Sequence, residues 1–480
     1  MSRLEIQAGP HERVHCPVAV PDAGAGAGAA PAAAAGGLSD AEVDAGSDAV
    51  PVGVAESARE GAATGQVHAA RAGGPAGGGS GAYAGAAATH MGGAVLRIAD
   101  GAHSVPMQES DGRLWCVLPY LAAGGAESAE IAVGTAPELA AGARVRDAGG
   151  AAQAAKAARA GPDTETANGV RIADQGEHLE VSVDGVRWCD YHYAAHPVRS
   201  YLHPVIGPYG VPMTRAWPVQ DGVPDEERDH VHHRSLWVAH GLVNGVDFWS
   251  EANGHGYQVH GGFEAVESGP VFGRIVQRVS WRKHAPDGTP VLEEQRTLTF
   301  WNTPSTARLL DLTVTLHAVH GDVTFGDTKE GGLCALRVPE AIKGARGGGI
   351  SNAYGGLHEA ENWGQRAPWV DYSGELSYSG ELTAPVGARR RVGVAIFDHP
   401  RNPHYPTHWH VRGYGLFAAN PFGLADYGSG YRQNGDWVLA AGERATFRYR
   451  VLWHAGDAQT ARVGARFLDW AAPPTIIAAN

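Results

Sequence analysis

Alternation between apolar and polar positions governs the second half of the chain. Leu179, Val181 and Val183 alternate with polar residues, and Asp184-Gly185 follows as a hairpin turn. The runs Val271–Lys283, Glu293–Trp301, Ala307–Val319, Arg391–Asp398 and Thr446–His454 are rich in Val, Leu, Thr, Phe and Trp. Such residues suit a pleated, half-buried surface. Asp287-Gly288 and His320-Gly321-Asp322 supply turns between them. Helical spacing is confined to Gln459–Ala471, through Ala461, Val463, Phe467 and Leu468. The pattern predicts an all-β fold. A unit of this size requires two stacked antiparallel sheets, a large β-sandwich over 169–480.

The first half is different. His15–Pro21, Ala94–Ile98, Ser104–Met107 and Leu114–Leu118 read as short strands. They predict a small N-terminal β domain over 1–22 and 91–136. Between its parts, 23–90 is Ala- and Gly-rich, with Tyr83 as its one aromatic residue. It has too little apolar surface to offset its ordering entropy, so it is expected to be a disordered insertion. A disordered N-terminal tail, with folded chain starting near 91, is the alternative. Residues 137–168 are again Ala-rich and read as a linker.

Composition narrows the function classes. Net charge is −13, so the chain has no bulk attraction for nucleic acid or anionic membrane. No apolar stretch is long enough for a membrane span, and the start MSRLEIQAGPHERVHC lacks the apolar core of a signal peptide. Cys16, Cys116, Cys189 and Cys334 are too far apart for a zinc ribbon. A cytoplasmic location is expected.

Histidine is the outlier: 18 of the 24 lie between His192 and His454. They gather with carboxylates, Arg and aromatics in four segments, YLHPVIGPYGVPMTR, DHVHHRSLWVAHGLVNGVDFWSE, FGDTKEGGLCALR, and WVDYSG with FDHPRNPHYPTHWHVRGYG. On an extended chain His230 and His232 face one way and His233 the other, unless the chain bends. The mixture suits sugar recognition, in which aromatic faces stack on a pyranose and polar groups hold its hydroxyls. No nucleotide-binding glycine motif occurs.

His230, His232, His233, Glu330 and Asp371 are the expected catalytic residues. Arg215, Asp229, Lys329, His399, His408, His410 and Arg412 are the expected substrate-binding ones. Histidine can hold or release a proton near neutral pH, so the expected chemistry is general acid–base catalysis on a carbohydrate or sugar-derived substrate, of hydrolase, lyase or epimerase type. Two other readings stay open. One is a non-catalytic sugar-binding module. The other is a metal-dependent hydrolase or oxygenase using His230 and His232 with Asp229, His408 or His410. The expected partner is a small molecule or oligosaccharide. No cofactor is required for acid–base chemistry, although a divalent metal fits the third reading.

The four segments, with WGQRAPWVDYSG and LWCVLPYLAAG, resemble the bacterial family named methane oxygenase PmoA, a domain of unknown function. The resemblance covers about 185–456 and also reaches the small domain through LWCVLPYLAAG. It implies a galactose-mutarotase-like supersandwich. The family's name is not a guide to function here, because a membrane-embedded oxygenase subunit needs spans of about 20 apolar residues.

The composition of 23–90 generates a prediction. A chain joining Pro21 directly to Met91 should fold with an unchanged melting temperature, measured by circular dichroism. Loss of the cooperative transition would refute a dispensable insertion.

Overall fold

The computed structural model describes residues 3–10, 12–20, 94–98, 103–121, 126–133, 168–194, 198–377, 389–427 and 434–478. The expected insertion 23–90, and the expected linker as far as 167, lie outside the described residues apart from the linker's last position. The predicted alternation resolves into two eight-stranded antiparallel sheets. The front sheet runs in the order His408–Val411, Leu416–Asn420, Gly331–Arg337, Leu236–His240, Tyr201–Val205, Val186–His192, His178–Val183, Val170–Asp174. The back sheet runs Tyr257–Glu267, Phe272–Arg282, Pro290–Trp301, Ala307–His317, Arg444–Ala455, Arg389–Asp398, Trp369–Ser377, Gly349–Asn352. Along Ala307–His317, the residues Leu310, Leu312, Val314 and Leu316 point into the space between the sheets. Asp184 and Gly185 both have positive φ, as a two-residue turn matched to the strand twist requires.

The small β layer forms from the predicted strands and four that were not expected, Arg3–Gln7, Gln108–Ser110, Ala126–Val133 and Thr475–Ala478. Thr475–Ala478 leaves the sandwich and pairs with Arg3–Gln7, at the edge of a five-stranded sheet. Arg13–Val20, Arg113–Leu121 and Gln108–Ser110 make a second, three-stranded sheet. Residues 1–23 and 85–480 form one compact unit. Gln108 docks the layer by accepting from the Val271 and Phe272 amides at 3.1 and 2.9 Å. A side chain at residue 269 would collide with Gln108, which explains the glycine there. The helix Val463–Ala471 lays Val463 and Phe467 on the outer face of the back sheet, against Phe397 and Leu452. No described helix is long and apolar enough to cross a membrane.

The interior is not wholly apolar. Glu294 and Arg296 occupy inward positions of the back sheet as an ion pair, at 2.6 and 3.0 Å. Glu294 also accepts from the Trp281 indole N–H, and Arg296 donates to Gln258. Gln258 in turn donates to the Val238 carbonyl of the front sheet, so this polar chain joins the two sheets. A buried pair is costly to break, because the survivor is left charged and unpaired. Glu294→Leu should therefore destabilise the fold by about 3–5 kcal/mol in urea titrations, and adding Arg296→Met should restore a large part of the loss. Equal stability of the single and double variants would contradict the role given to the pair.

Candidate functional site

A row of directly paired residues crosses the outer face of the front sheet: His410, Ala418, Ala335, Trp237, Tyr201, His192. Its middle is small. Gly332 lies against Ala418 and Ala335, so closely that a Cβ would fall 2.7 Å from the Ala418 side chain. This shallow floor leaves room for loops to pack on the sheet. Trp249, Leu416 and Tyr414 are among the residues that fill it.

One of these loops carries the histidine cluster. Residues 229–235 are not a strand, as the extended-chain reading assumed. His230 has φ +43°, and the His233 amide donates to the His230 carbonyl at 3.0 Å. The bend overturns the expected alternation. His233 stacks on His230, with ring centroids 4.6 Å apart and planes 10° off parallel. Tyr414 stacks on His230 at 5.3 Å, and Trp237 stacks on His233 at 5.2 Å. His232 meets both neighbouring histidines edge-on.

The turn is held through Asp229. Its carboxylate takes hydrogen bonds from Arg215 and Arg337, neither of which has solvent exposure. It also meets His230 Nδ1 at 2.6 Å. Burial would raise the Asp229 carboxyl, but the His230 hydrogen bond and the two guanidiniums outweigh it and hold the group well below the usual carboxylate range. With Nδ1 engaged, Nε2 has no hydrogen-bond partner among the described residues. Such a contact fixes an imidazole's tautomer and orientation.

His230 and His232 open onto a cleft of about 510 Å³, lined also by Gly241, Leu242, Asp247, Trp249, Ser250, Asp327, Thr328 and Glu330. Gly241 is needed for closure, since a Cβ there would lie 2.4 Å from the Glu330 carbonyl. Asp247 accepts from the Trp249 and Ser250 amides at 2.6 and 3.0 Å, and from the Ser250 hydroxyl. Asp327 accepts from the Ala425 and Gly435 amides. Glu330 differs: its amide donates to Thr328, but no hydrogen bond reaches its carboxyl among the described residues. Burial raises that carboxyl, against the opposing pull of Lys329 and His230. Burial, with Arg199 next in effect, pushes His232 down to about 3, so it is neutral at pH 7. Burial holds His233 well below its ordinary value as well.

The other expected residues divide. Arg412 pairs with Glu359 at 2.7 Å and lies over the Tyr414 ring, so it supports the stack from behind. His410 is buried beneath the cleft, close enough to His230, Lys329 and Arg412 to feel their charges. Lys329 neighbours Glu330 but does not line the cleft; its amide donates to Asp426. His408 stacks on Tyr427 at the edge of the front sheet, away from the cleft lining. Asp371 and His399 are misplaced by the sequence reading. Asp371 sits on the outer face of the back sheet, buried 2.6 Å from His454 Nε2. Its strand neighbours Val370 and Tyr372 take the core, which turns Asp371 away. His399 packs edge-on against Trp470 of the helix. Asp247, Asp327, Arg337 and Tyr414 were not among the expected site residues. Arg337 had a readable signal, as a lone charge ending the apolar run LCALR. Among the described residues, no three His, Cys, Asp or Glu side chains are grouped so as to hold a metal ion.

A family model matches residues 178–467, which contain the turn, the cleft and both large sheets apart from the front sheet's edge strand Val170–Asp174. The chain belongs to DUF6807, a family of unknown function. That description is not the PmoA name the motif resemblance suggested. Among the curated proteins none matches. Of solved structures, the chain is similar to a heparan sulfate lyase HepC mutant from Pedobacter heparinus, with 10% identity, a TM-score of 0.24, and 61% of this chain aligned to 36% of the lyase. It is also similar to a GalM/aldose epimerase homologue from C. elegans, with 9% identity, a TM-score of 0.25, and 60% of this chain aligned to 99% of that one. The chain thus spans about a third of the lyase. At these TM-scores neither likeness carries an argument about the site of this DUF6807 member.

The neutral histidines set a pH dependence. Burial pushes His203 and His240 down to about 4 and His410 to about 3. In the unfolded chain each protonates near pH 6.5. Their contribution to stability is therefore complete above pH 6.5 and falls as the pH drops toward 4. Each should add about 1.4 kcal/mol per pH unit to the slope in that window. His410→Gln should flatten the slope measured by urea unfolding between pH 6.5 and 4.5. An unchanged slope would show that His410 is protonated in the folded protein.

Proposed function

We propose that the cleft is the active site of an enzyme that moves a proton on a carbohydrate or sugar-derived substrate, with His230 as base and Glu330 as acid. One observation carries this reading. Asp229 engages His230 Nδ1 at 2.6 Å, and His230 lines the same cleft as a Glu330 carboxyl that no hydrogen bond reaches among the described residues. A lyase or epimerase step needs one group that takes a proton and one that gives it. A carboxyl raised by burial and a histidine fixed by a carboxylate supply that pair. His232 stays neutral and serves as a hydrogen-bonding group. Ser250, Thr328, Asp247 and Asp327 offer hydroxyl partners, and Trp249 and Leu242 offer apolar surface.

The PmoA resemblance supports this scaffold type and adds no chemistry to it. The proposed step routes nothing through a metal. All four cysteines are buried and unpaired, which supports a reducing, cytoplasmic setting.

The test begins with a thermal-shift screen of sugars, sugar acids and keto-sugars. A ligand at about 100 times its Kd stabilises by about 2.7 kcal/mol. Ligands that bind are then incubated in D2O and followed by proton NMR for exchange or product. His230→Asn and Glu330→Gln should each slow turnover by about 10²–10⁴-fold while leaving the fold intact. Tight binding without exchange or product in the wild-type protein would instead identify a sugar-binding module.

A further inference from the structure

The charge distribution of the cleft bears on which sugars it admits. This inference rests on the proposed active site. Three acidic side chains line the cleft, the carboxylates of Asp247 and Asp327 and the carboxyl of Glu330, the proposed acid, and no Lys or Arg does. Asp247 and Asp327 act only as acceptors toward amides and a hydroxyl, the behaviour of ionised carboxylates.

The neighbouring cations are already engaged. Arg215 and Arg337 are bound to Asp229. Arg234 makes a two-pronged bond to Glu251, and Arg199 lies 3.6 Å from the same carboxylate. Arg412 is held by Glu359. Lys329 adjoins Glu330 in the chain, and it is not part of the lining. His232 adds no charge near neutral pH, being pushed down to about 3. The fixed charges on the lining itself are therefore of one sign, with Lys329 and Arg199 acting from outside it. Low-dielectric walls concentrate the field of the lining carboxylates, which acts against an anion.

We propose that the cleft selects an uncharged polyhydroxy substrate and excludes uronates, sugar phosphates and sulfated sugars. The carboxylates do not form a ready cage for a cation either. Asp247 and Asp327 already take three hydrogen bonds each from protein donors, counting the bifurcated Ala425 amide as two. What remains is capacity to accept from hydroxyl groups, which a neutral sugar donates in pairs.

The test reads the field without needing the true substrate. The intact protein is treated at pH 7.5 with iodoacetamide or with its anionic counterpart iodoacetate. Carboxyamidomethylation or carboxymethylation of His230 is followed by peptide mass spectrometry, with N-acetylhistidine in the same tube as reference. At about 10 mM salt the preference of His230 for the neutral reagent should exceed that of N-acetylhistidine by about three- to fivefold. Near 1 M salt, where the Debye length shrinks to about 3 Å, the excess should largely vanish. Asp327→Asn should reduce it at low salt. A preference equal to the reference, a preference for iodoacetate, or no reaction at His230 with either reagent would each overturn the proposal. The first two outcomes leave the acid–base reading standing, because His230→Asn and Glu330→Gln test that separately.

Discussion

Two guanidinium groups with no access to water must be answered by a carboxylate, and at the centre of this site Asp229 answers both. Arg337 ends a central strand of the front sheet, while Arg215 comes from the loop that crosses it. Backbone bonds lace the same pieces together: the Arg215 amide donates to the Arg337 carbonyl, and the Arg337 amide to the Ser235 carbonyl, each at 2.9 Å. Removing the carboxylate would leave buried Arg215 without its carboxylate and buried Arg337 with only Glu227, 3.6 Å away, a larger penalty than losing an exposed ion pair. The sharp bend at His230, its ring stack and its exposed nitrogen all follow from where Asp229 is pinned.

Most of the fold was legible because two-residue alternation is a local property. Ala307–His317 and the Asp184-Gly185 hairpin form where the pattern places them. The site was only half legible. The clustering of His230, His232 and Glu330 came from residue type and glycine context, which survive without knowledge of the fold. Asp371 has an equally suggestive context, Trp-Val-Asp-Tyr, yet a strand offers two faces and this one belongs to the other sheet. The error at His233 has a different origin. Period-two reasoning assumes extended backbone, and a residue with φ +43° breaks the alternation. Tyr414 was missed because its place in the stack depends on a loop reaching over a strand from another part of the chain.

Keeping so many histidines neutral serves the site as well as the packing. A cluster of three imidazoles within stacking distance would repel itself if all were charged. Burial settles the matter for His232 and His233, while His230, the most exposed of the three, meets the Asp229 carboxylate. One ring thereby differs from its two neighbours in exposure and in its carboxylate contact, though the three look alike in sequence.

The pairing of Thr475–Ala478 with Arg3–Gln7 has a consequence for how the molecule assembles. Hydrogen bonds such as that from Arg13 to the Leu468 carbonyl join residues 455 positions apart. Contacts of that span cannot begin during synthesis of the first strands, and loop closure over such distances is among the slowest steps a chain takes. The two large sheets, built mainly from sequential hairpins, can form without waiting for them. The N-terminal strand Arg3–Gln7 thus gains its last partner late, and until then one of its edges is open to pairing with another chain. Concentration during refolding, rather than temperature, becomes the variable that decides between closure within one molecule and association between two.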